Sequence, residues 1–258
     1  MLTSQRKHLI LESLRDNGQI VAKELSLQWA VSEDTIRRDL RELAQEGLLQ
    51  RVHGGALPTA GTTLASSPAV VNFKSRQKLA QASKNKLGQA AAKLVKAGQV
   101  IFIDGGTTNA QLVEHLPRTL KATVITHSPT IAVALMEHEN IEVIIVGGKL
   151  FKHSAVTVGA AAIEAISRVR ADIYFMGVTG VHSEVGLSTG DLEESYIKRA
   201  IKAAATETIV LASADKMNTA SPYIICPCSD IKTIFTDAQI GDHTSEAFKK
   251  SGATIKRV

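Results

Sequence analysis

Along SQRKHLILESLRDNG, Leu9, Ile10, Ser13 and Leu14 recur at helical spacing, and Asn17-Gly18 ends the pattern, so a first helix is predicted there. In VAKELSLQWA, Val21, Leu25 and Trp29 fall at i, i+4 and i+8, which predicts a shorter second helix with the chain's one tryptophan in its core. Ser32 then offers an N-cap to a third helix, SEDTIRRDLREL, whose apolar stripe is Ile36, Leu40 and Leu43. After Gly47, LLQRVHGGAL reads as strand, Gly54-Gly55 turn and returning strand, a β-hairpin. From Gln99 onward the pattern changes. QVIFID, ATVITH, IEVIIV, ADIYFM, TIVLAS and KTIFTD are apolar runs rich in β-branched residues, most of them leading into helical stretches. Such runs suit strands buried on both faces, and a mostly parallel sheet covered by helices is the economical architecture.

Between these two patterns lies PTAGTTLASSP, residues 58–68, with the small residues, Pro and Gly of a connection. The expected organisation is an α/β chain in three parts: a DNA-binding unit over 1–57, a linker over 58–72, and an α/β domain over 73–258 with 73–97 as its leading helix. A length of 258 residues and 44% hydrophobic content fit two folded units. No apolar run approaches bilayer-spanning length and MLTSQRKH has no apolar signal core, so a cytoplasmic protein without membrane contact is expected. Cys226 and Cys228 stand one residue apart with no second ligand pair nearby, which leaves ordinary thiols as the expectation and no metal site.

The formal charge is +5, and its distribution says more than its size. Between Glu46 and Asp104 there is no acidic residue, while Arg51, Lys74, Arg76, Lys78, Lys84, Lys86, Lys93 and Lys96 are basic. On the third helix, Arg37, Arg38 and Arg41 cluster opposite the apolar stripe. Its acids are placed differently: Glu33 and Asp34 sit in the first turn, where carboxylates favour the helix dipole, and Asp34 and Glu42 flank Arg38 at four-residue spacing. Asp39 falls at the edge of the buried stripe, with Arg6 as the expected partner. Three helices, a hairpin and a basic hairpin tip at Arg51 and His53 make a winged helix-turn-helix, and double-stranded DNA is the partner that arrangement implies.

In a parallel sheet covered by helices, ligands bind beyond the carboxyl ends of the strands. IDGGTTNAQL is the sharpest candidate: a strand stops at Asp104, Gly105 and Gly106 permit close backbone approach, and Thr107 and Thr108 open a helix whose free amides suit a phosphate. It is neither a Walker A loop nor a GxGxxG turn. Other strand ends could converge with it: His127 and Ser128, Gly147 and Gly148, GVTG at 177–180, Asp191, Glu193, Glu194 and Lys198, and Asp215 with Lys216. Ser128 before Pro129 is independently explained as a helix cap.

Arg6 onward through SEDTIRRDL, and LLQRVHGGAL after it, resemble the signature and wing of the DeoR family of bacterial transcriptional regulators. By that resemblance Thr35, Arg37, Arg38 and Arg41 meet DNA, with the capping Ser32 beside them and Arg51 and His53 from the wing. DGGTTN, GG at 147, GLSTGDLEESYIKRAI and LASADK are similar to landmarks of the family's sensing domain, whose fold is shared with ribose-phosphate isomerases. The resemblance implies a phosphorylated sugar as effector, contacted by Asp104 through Thr108 and by Lys216. His127, where the family often has Asn, and Ser213, where it often has Asp, depart from the pattern.

The function expected is a repressor of a sugar catabolic operon, needing no cofactor, controlled by a phosphorylated sugar. It is expected to act as a homodimer or homotetramer, because one short helix reads too few bases alone. The alternative is a sugar-phosphate isomerase-like enzyme in which Glu194, Asp191 and Lys216 serve enediol chemistry. That enzyme would have no use for a DNA-reading unit.

Overall fold

A computed structural model describes residues 3–17, 20–46, 48–52, 54–57, 65–66, 73–77, 79–238 and 240–258. The chain divides into two compact units, Met1–Ala65 and Ser66–Val258. In the smaller unit α1 (Thr3–Asn17), β1 (Ile20–Val21), α2 (Ala22–Gln28) and α3 (Glu33–Gln45) precede the hairpin of β2 (Gln50–Val52) and β3 (Gly55–Leu57). Ile10 and Leu14 of α1, Leu25 of α2 and Ile36, Leu40 and Leu43 of α3 close one core, with Leu49 and Ala56 beneath the hairpin. β1 adds to the far side of β3, giving the order β1-β3-β2. There Gly55 is obligatory, since a Cβ would stand 1.7 Å from the Ile20 carbonyl oxygen.

The second helix begins one residue later than its spacing predicts. Val21 is drawn into β1 and is 38% exposed, while Ala22 takes the core position. Trp29 packs only partly against the core, because α2 ends at Gln28 and the chain turns through a left-handed Ala30. His53 and most of the predicted linker lie outside the described residues, apart from β4 (Ala65–Ser66).

The larger unit opens with α4 (Phe73–Gln77) and α5 (Gln81–Ala92). The sheet and its crossovers follow: β5 (Val100–Ile103), α6 (Thr107–Glu114), β6 (Ala122–Thr126), α7 (Pro129–Leu135) and β7 (Ile141–Ile145). A hairpin of β8 (Lys149–Phe151) and β9 (Val156–Val158) leads through α8 (Ala160–Ser167) to β10 (Ala171–Met176). Next come β11 (Gly180–His182), β12 (Gly186–Thr189), α9 (Leu192–Ala204), β13 (Ala205–Leu211), β14 (Thr219–Ala220) and β15 (Tyr223–Cys226). The chain finishes with β16 (Thr233–Thr236), α10 (Asp242–Lys250) and β17 (Thr254–Arg257).

Seven strands form one parallel sheet in the order β17-β16-β13-β10-β5-β6-β7. The six predicted runs each supply a strand. The seventh, β17, was not anticipated, nor was the small antiparallel sheet β11-β12-β15. Along β5 alternate residues bury on opposite faces, Ile101 and Ile103 with Leu87 and Leu112, and Phe102 with Tyr174 and Ile197. Sequence order along the sheet reverses between β5 and β10, which makes a crevice beyond their carboxyl ends the place where this topology leaves room for a ligand.

Candidate functional site

On α3 the side chains divide by face as their spacing predicts. Ile36, Leu40 and Leu43 are buried, whereas Arg37, Arg38 and Arg41 are exposed. Ser32 caps the helix, its hydroxyl accepting from the Thr35 amide at 3.2 Å and lying 2.7 Å from the Thr35 hydroxyl. Asp39 is fully buried and accepts two hydrogen bonds from the Arg6 guanidinium, one of them from Nη2 at 3.2 Å, so the acid on the apolar stripe holds α1 to α3. Of the two carboxylates expected to flank Arg38, Glu42 reaches it, whereas Asp34 makes no ion pair among the described residues. Arg37 pairs with Glu33 at 2.7 Å, and Glu42 lies 3.0 Å from Lys7 but only 4.0 Å from Arg38. Glu42 is thus shared between Lys7 of α1 and Arg38, and the side chains of Arg38 and Arg41 remain exposed. Arg51 on β2 is exposed and shares a hollow with Arg37 between α3 and the hairpin.

In the larger unit a cleft opens beyond β5 and β10, lined by Gly105, Gly106, Thr107, Thr108, Gly177, Glu194, Lys198 and Lys216, with Arg76, Ser154, Thr179 and Thr189. Gly106 has φ +117°, a conformation that favours glycine, and starts α6 with no side-chain cap, so the first amides of that helix are uncommitted. Gly105 and Gly177 pack backbone on backbone: a Cβ on Gly177 would stand 2.7 Å from the Gly105 carbonyl oxygen. Asn109 ties the two strand ends, donating at 3.1 Å to the carbonyls of both Asp104 and Phe175.

Asp104 is fully buried behind this wall. Its carboxylate accepts from the Gly105 amide at 2.7 Å, His127 Nε2 at 2.6 Å, the Tyr174 hydroxyl at 2.8 Å, the Gly177 amide at 2.9 Å and Lys198 Nζ at 2.6 Å. Burial alone would raise its pKa, but the charge of Lys198 and the bond to His127 outweigh burial and hold it well below the usual carboxylate range. His127, also fully buried, has Nδ1 2.9 Å from the Thr157 carbonyl oxygen. Both residues therefore support the cleft from behind.

The cations of the cleft are unequal. Lys198 has Asp104, whereas neither Arg76 nor Lys216 makes a hydrogen bond or ion pair through its side chain among the described residues. Arg76 Nε and Nη2 and Thr108 Oγ1 are buried without a partner. Lys216, on a short 3-10 turn after β13, is pushed down to about 8: burial contributes most, Asp215 opposes it, and Arg76, Lys84 and Lys198 add to it. Glu194 accepts from the hydroxyls of Ser154 and Thr189, both at 3.2 Å, and Asp191 serves as N-cap of α9 through the Glu194 amide at 3.0 Å. A buried hollow with unpaired cations, free amides and hydroxyls is built to receive an anion.

Family models match both units. One describes the DeoR-like helix-turn-helix domain over residues 6–59 and the other the DeoR C terminal sensor domain over residues 79–238. The chain belongs to the DeoR family. A putative aga operon transcriptional repressor of Escherichia coli O157:H7 is 30% identical to this DeoR-family chain over 253 residues, covering 98% of it and 93% of the relative. The glycerol-3-phosphate regulon repressor of Escherichia coli K12 is 29% identical over 238 residues, covering 92% of each. Among solved structures, ribose 5-phosphate isomerase A from Methanocaldococcus jannaschii matches 52% of the chain and 53% of its own, at 23% identity and a TM-score of 0.39.

Within this DeoR-family sensor domain the structure gathers Gly105 through Thr108, Glu194, Lys198 and Lys216 into one cleft, and separates four other expected residues from it. Asp104 and His127 stand behind the wall. Gly147 and Gly148 carry the chain from β7 into β8, away from the cleft. Ser128 does not cap α7 with its side chain; its hydroxyl binds Thr130 and the Ala155 carbonyl. Arg76, Ser154, Thr179 and Thr189 were not singled out for this site. Cys226 and Cys228 are buried free thiols, Cys228 Sγ donating to the His182 carbonyl oxygen at 3.3 Å, and burial raises their pKa values to about 12 and about 11.

Proposed function

We propose that this chain represses an operon for use of a sugar or sugar derivative, with operator affinity set by a phosphorylated sugar in the cleft beyond β5 and β10. Ser32, Thr35, Arg37, Arg38 and Arg41 of the third-helix region, with Arg51 and His53 from the hairpin, contact the operator. Gly105 through Thr108, Lys198 and Lys216 hold the phosphate. The observation that carries the effector reading is the set of unpaired buried groups in the cleft: Arg76 Nε and Nη2, Thr108 Oγ1 and Lys216, beside the uncapped start of α6. A phosphate dianion supplies acceptors for all of them at once. The names of the two relatives, repressors of an aga operon and of a glycerol-3-phosphate regulon, point to the same class of control. The working unit is a dimer or tetramer presenting paired reading helices.

To weaken operator binding about a thousandfold, the effector must favour the DNA-free conformation by about 4 kcal/mol. The test is a thermal-shift screen against sugar phosphates and the matching free sugars, joined to a mobility shift on the DNA upstream of the chain's own gene. One phosphate ester should stabilise the protein, change the DNA complex and be recovered intact. Stabilisation by free sugars alone would remove the phosphate from the reading. Turnover of the compound without DNA retention would put the isomerase-like enzyme in its place.

A further inference from the structure

Arg76 differs from every other cation of the cleft in its place along the chain. It comes from α4, the first helix of the larger unit, whereas Lys198 and Lys216 come from elements more than a hundred residues later. Among the described residues, α4 is held by backbone contacts at both ends. The Phe73 amide donates to the His153 carbonyl at 3.0 Å in the turn between β8 and β9, and Lys84 Nζ donates to the carbonyls of Arg76 at 2.5 Å and Leu79 at 2.6 Å. Those contacts fix the backbone and leave the guanidinium without a partner. Arg76 Nε and Nη2 are buried and unbonded, and Arg76 lines the same cleft as the start of α6. Burial lowers the Arg76 pKa and only the charge of Glu194 works against that, so the side chain is held at a cost with no partner in contact to offset it.

We infer that Arg76 is the residue through which occupancy of the cleft is felt by the segment that enters the larger unit. An anion between the α6 amides and Lys216 completes the hydrogen bonding of Arg76. The ordering of α4 is thereby linked to the ligand, and ligand binding biases the start of this unit as well as its centre. Lys216 and Thr108 contribute affinity; Arg76 contributes affinity and the link. This inference rests on the anion-binding reading of the cleft.

The experiment is amide hydrogen exchange on the full chain with inorganic phosphate as probe. It compares peptides covering α4 and the start of α6 in the wild type and in Arg76→Gln. In the wild type both peptides should gain protection. In Arg76→Gln, at phosphate concentrations raised until the α6 peptide is protected as in the wild type, the α4 peptide should exchange at its phosphate-free rate. Protection of α4 in that variant equal to the wild type overturns the inference, because α4 would then be ordered without the guanidinium. If phosphate protects neither peptide in the wild type, the anion-binding reading itself falls, a separate outcome from failure of the link. Lys216→Gln is the control: it should need more phosphate and, once saturated, protect both peptides. Should Arg76→Gln not fold, Arg76→Lys keeps the charge and loses the Nε and Nη2 fork; it is expected to protect α4 less than half as much at saturation, and full protection would overturn the inference.

Discussion

At the scale of single residues, the cleft shows how far chemistry can be read from spacing. Gly105 through Thr108 stand directly after an apolar run, and Glu194 and Lys198 lie one turn apart on a helix, so a local pattern points to each. Arg76 has no such pattern. It sits in a one-sign basic stretch, and only its place in the lining of the cleft distinguishes it from Lys86 or Lys93. Asp104 was legible as a strand-end acid, but its role as acceptor of five hydrogen bonds depends on Tyr174 of β10, Gly177 just after it and Lys198 of α9 arriving from far along the chain. Lys216 allows a test of the electrostatics. With its pKa lowered from 10.5 to about 8, the folded chain releases a proton that the unfolded chain keeps until about 10.5. Stability should therefore rise with pH between about 8 and 10.5, and below that window the buried charge costs about 3 kcal/mol at 1.36 kcal/mol per unit. Phosphate binding should move the opposite way, weakening as pH passes about 8 and the ammonium is lost. Denaturant unfolding and phosphate titration at pH 7, 8, 9 and 10 check both slopes, and Lys216→Met should flatten both. A slope unchanged in that variant would assign the titration to another group.

At the scale of elements, long apolar runs were decisive and short or edge elements were not. The six predicted strands announced themselves as continuous apolar runs, although β7 lies at a sheet edge and leaves Ile144 and Ile145 exposed, against the expectation of burial on both faces. β17 reads Thr-Ile-Lys-Arg, carries its charges at the sheet edge as edges commonly do, and so has no run to find. The short strands β11 and β12 gain their pairing from each other and from β15, contacts that no local window contains. In the smaller unit the apolar stripe of α3 was legible, and so was the anomaly within it, Asp39. The two kinds of charge on α3 should separate cleanly by experiment. Asp39→Ala removes the carboxylate from a buried ion pair with Arg6 and should destabilise the smaller unit by about 3–5 kcal/mol. Arg41→Ala, on the exposed face, should change stability by no more than about 0.5 kcal/mol. It should weaken operator binding and reduce the salt dependence of that binding by about one phosphate contact. Chemical denaturation followed at Trp29, which packs partly against this core, reads the first effect, and a salt series of mobility shifts reads the second.

For the whole molecule, the division into two compact units implies two cooperative transitions, and a ligand stabilises only the unit that binds it. Calorimetry of the full chain should resolve two transitions. Operator DNA should raise the one belonging to Met1–Ala65, and a bound phosphate ester should raise the one belonging to Ser66–Val258. At a free ester concentration of about a hundred times its Kd the stabilisation is about 2.7 kcal/mol, which for a domain of this size is about 5–10 °C in Tm. The informative sample contains both ligands. If the two units are coupled as a repressor requires, adding the ester should lower the DNA-dependent shift of the smaller unit, and by reciprocity DNA should lower the ester-dependent shift of the larger one. Equal and independent shifts would leave two binding modules that share a chain without communicating. An increase in both shifts would reverse the sign of control, making the ester a corepressor rather than an inducer. Reciprocity requires the two changes to agree in sign, so the pair of shifts tests the coupling from both ends of the molecule.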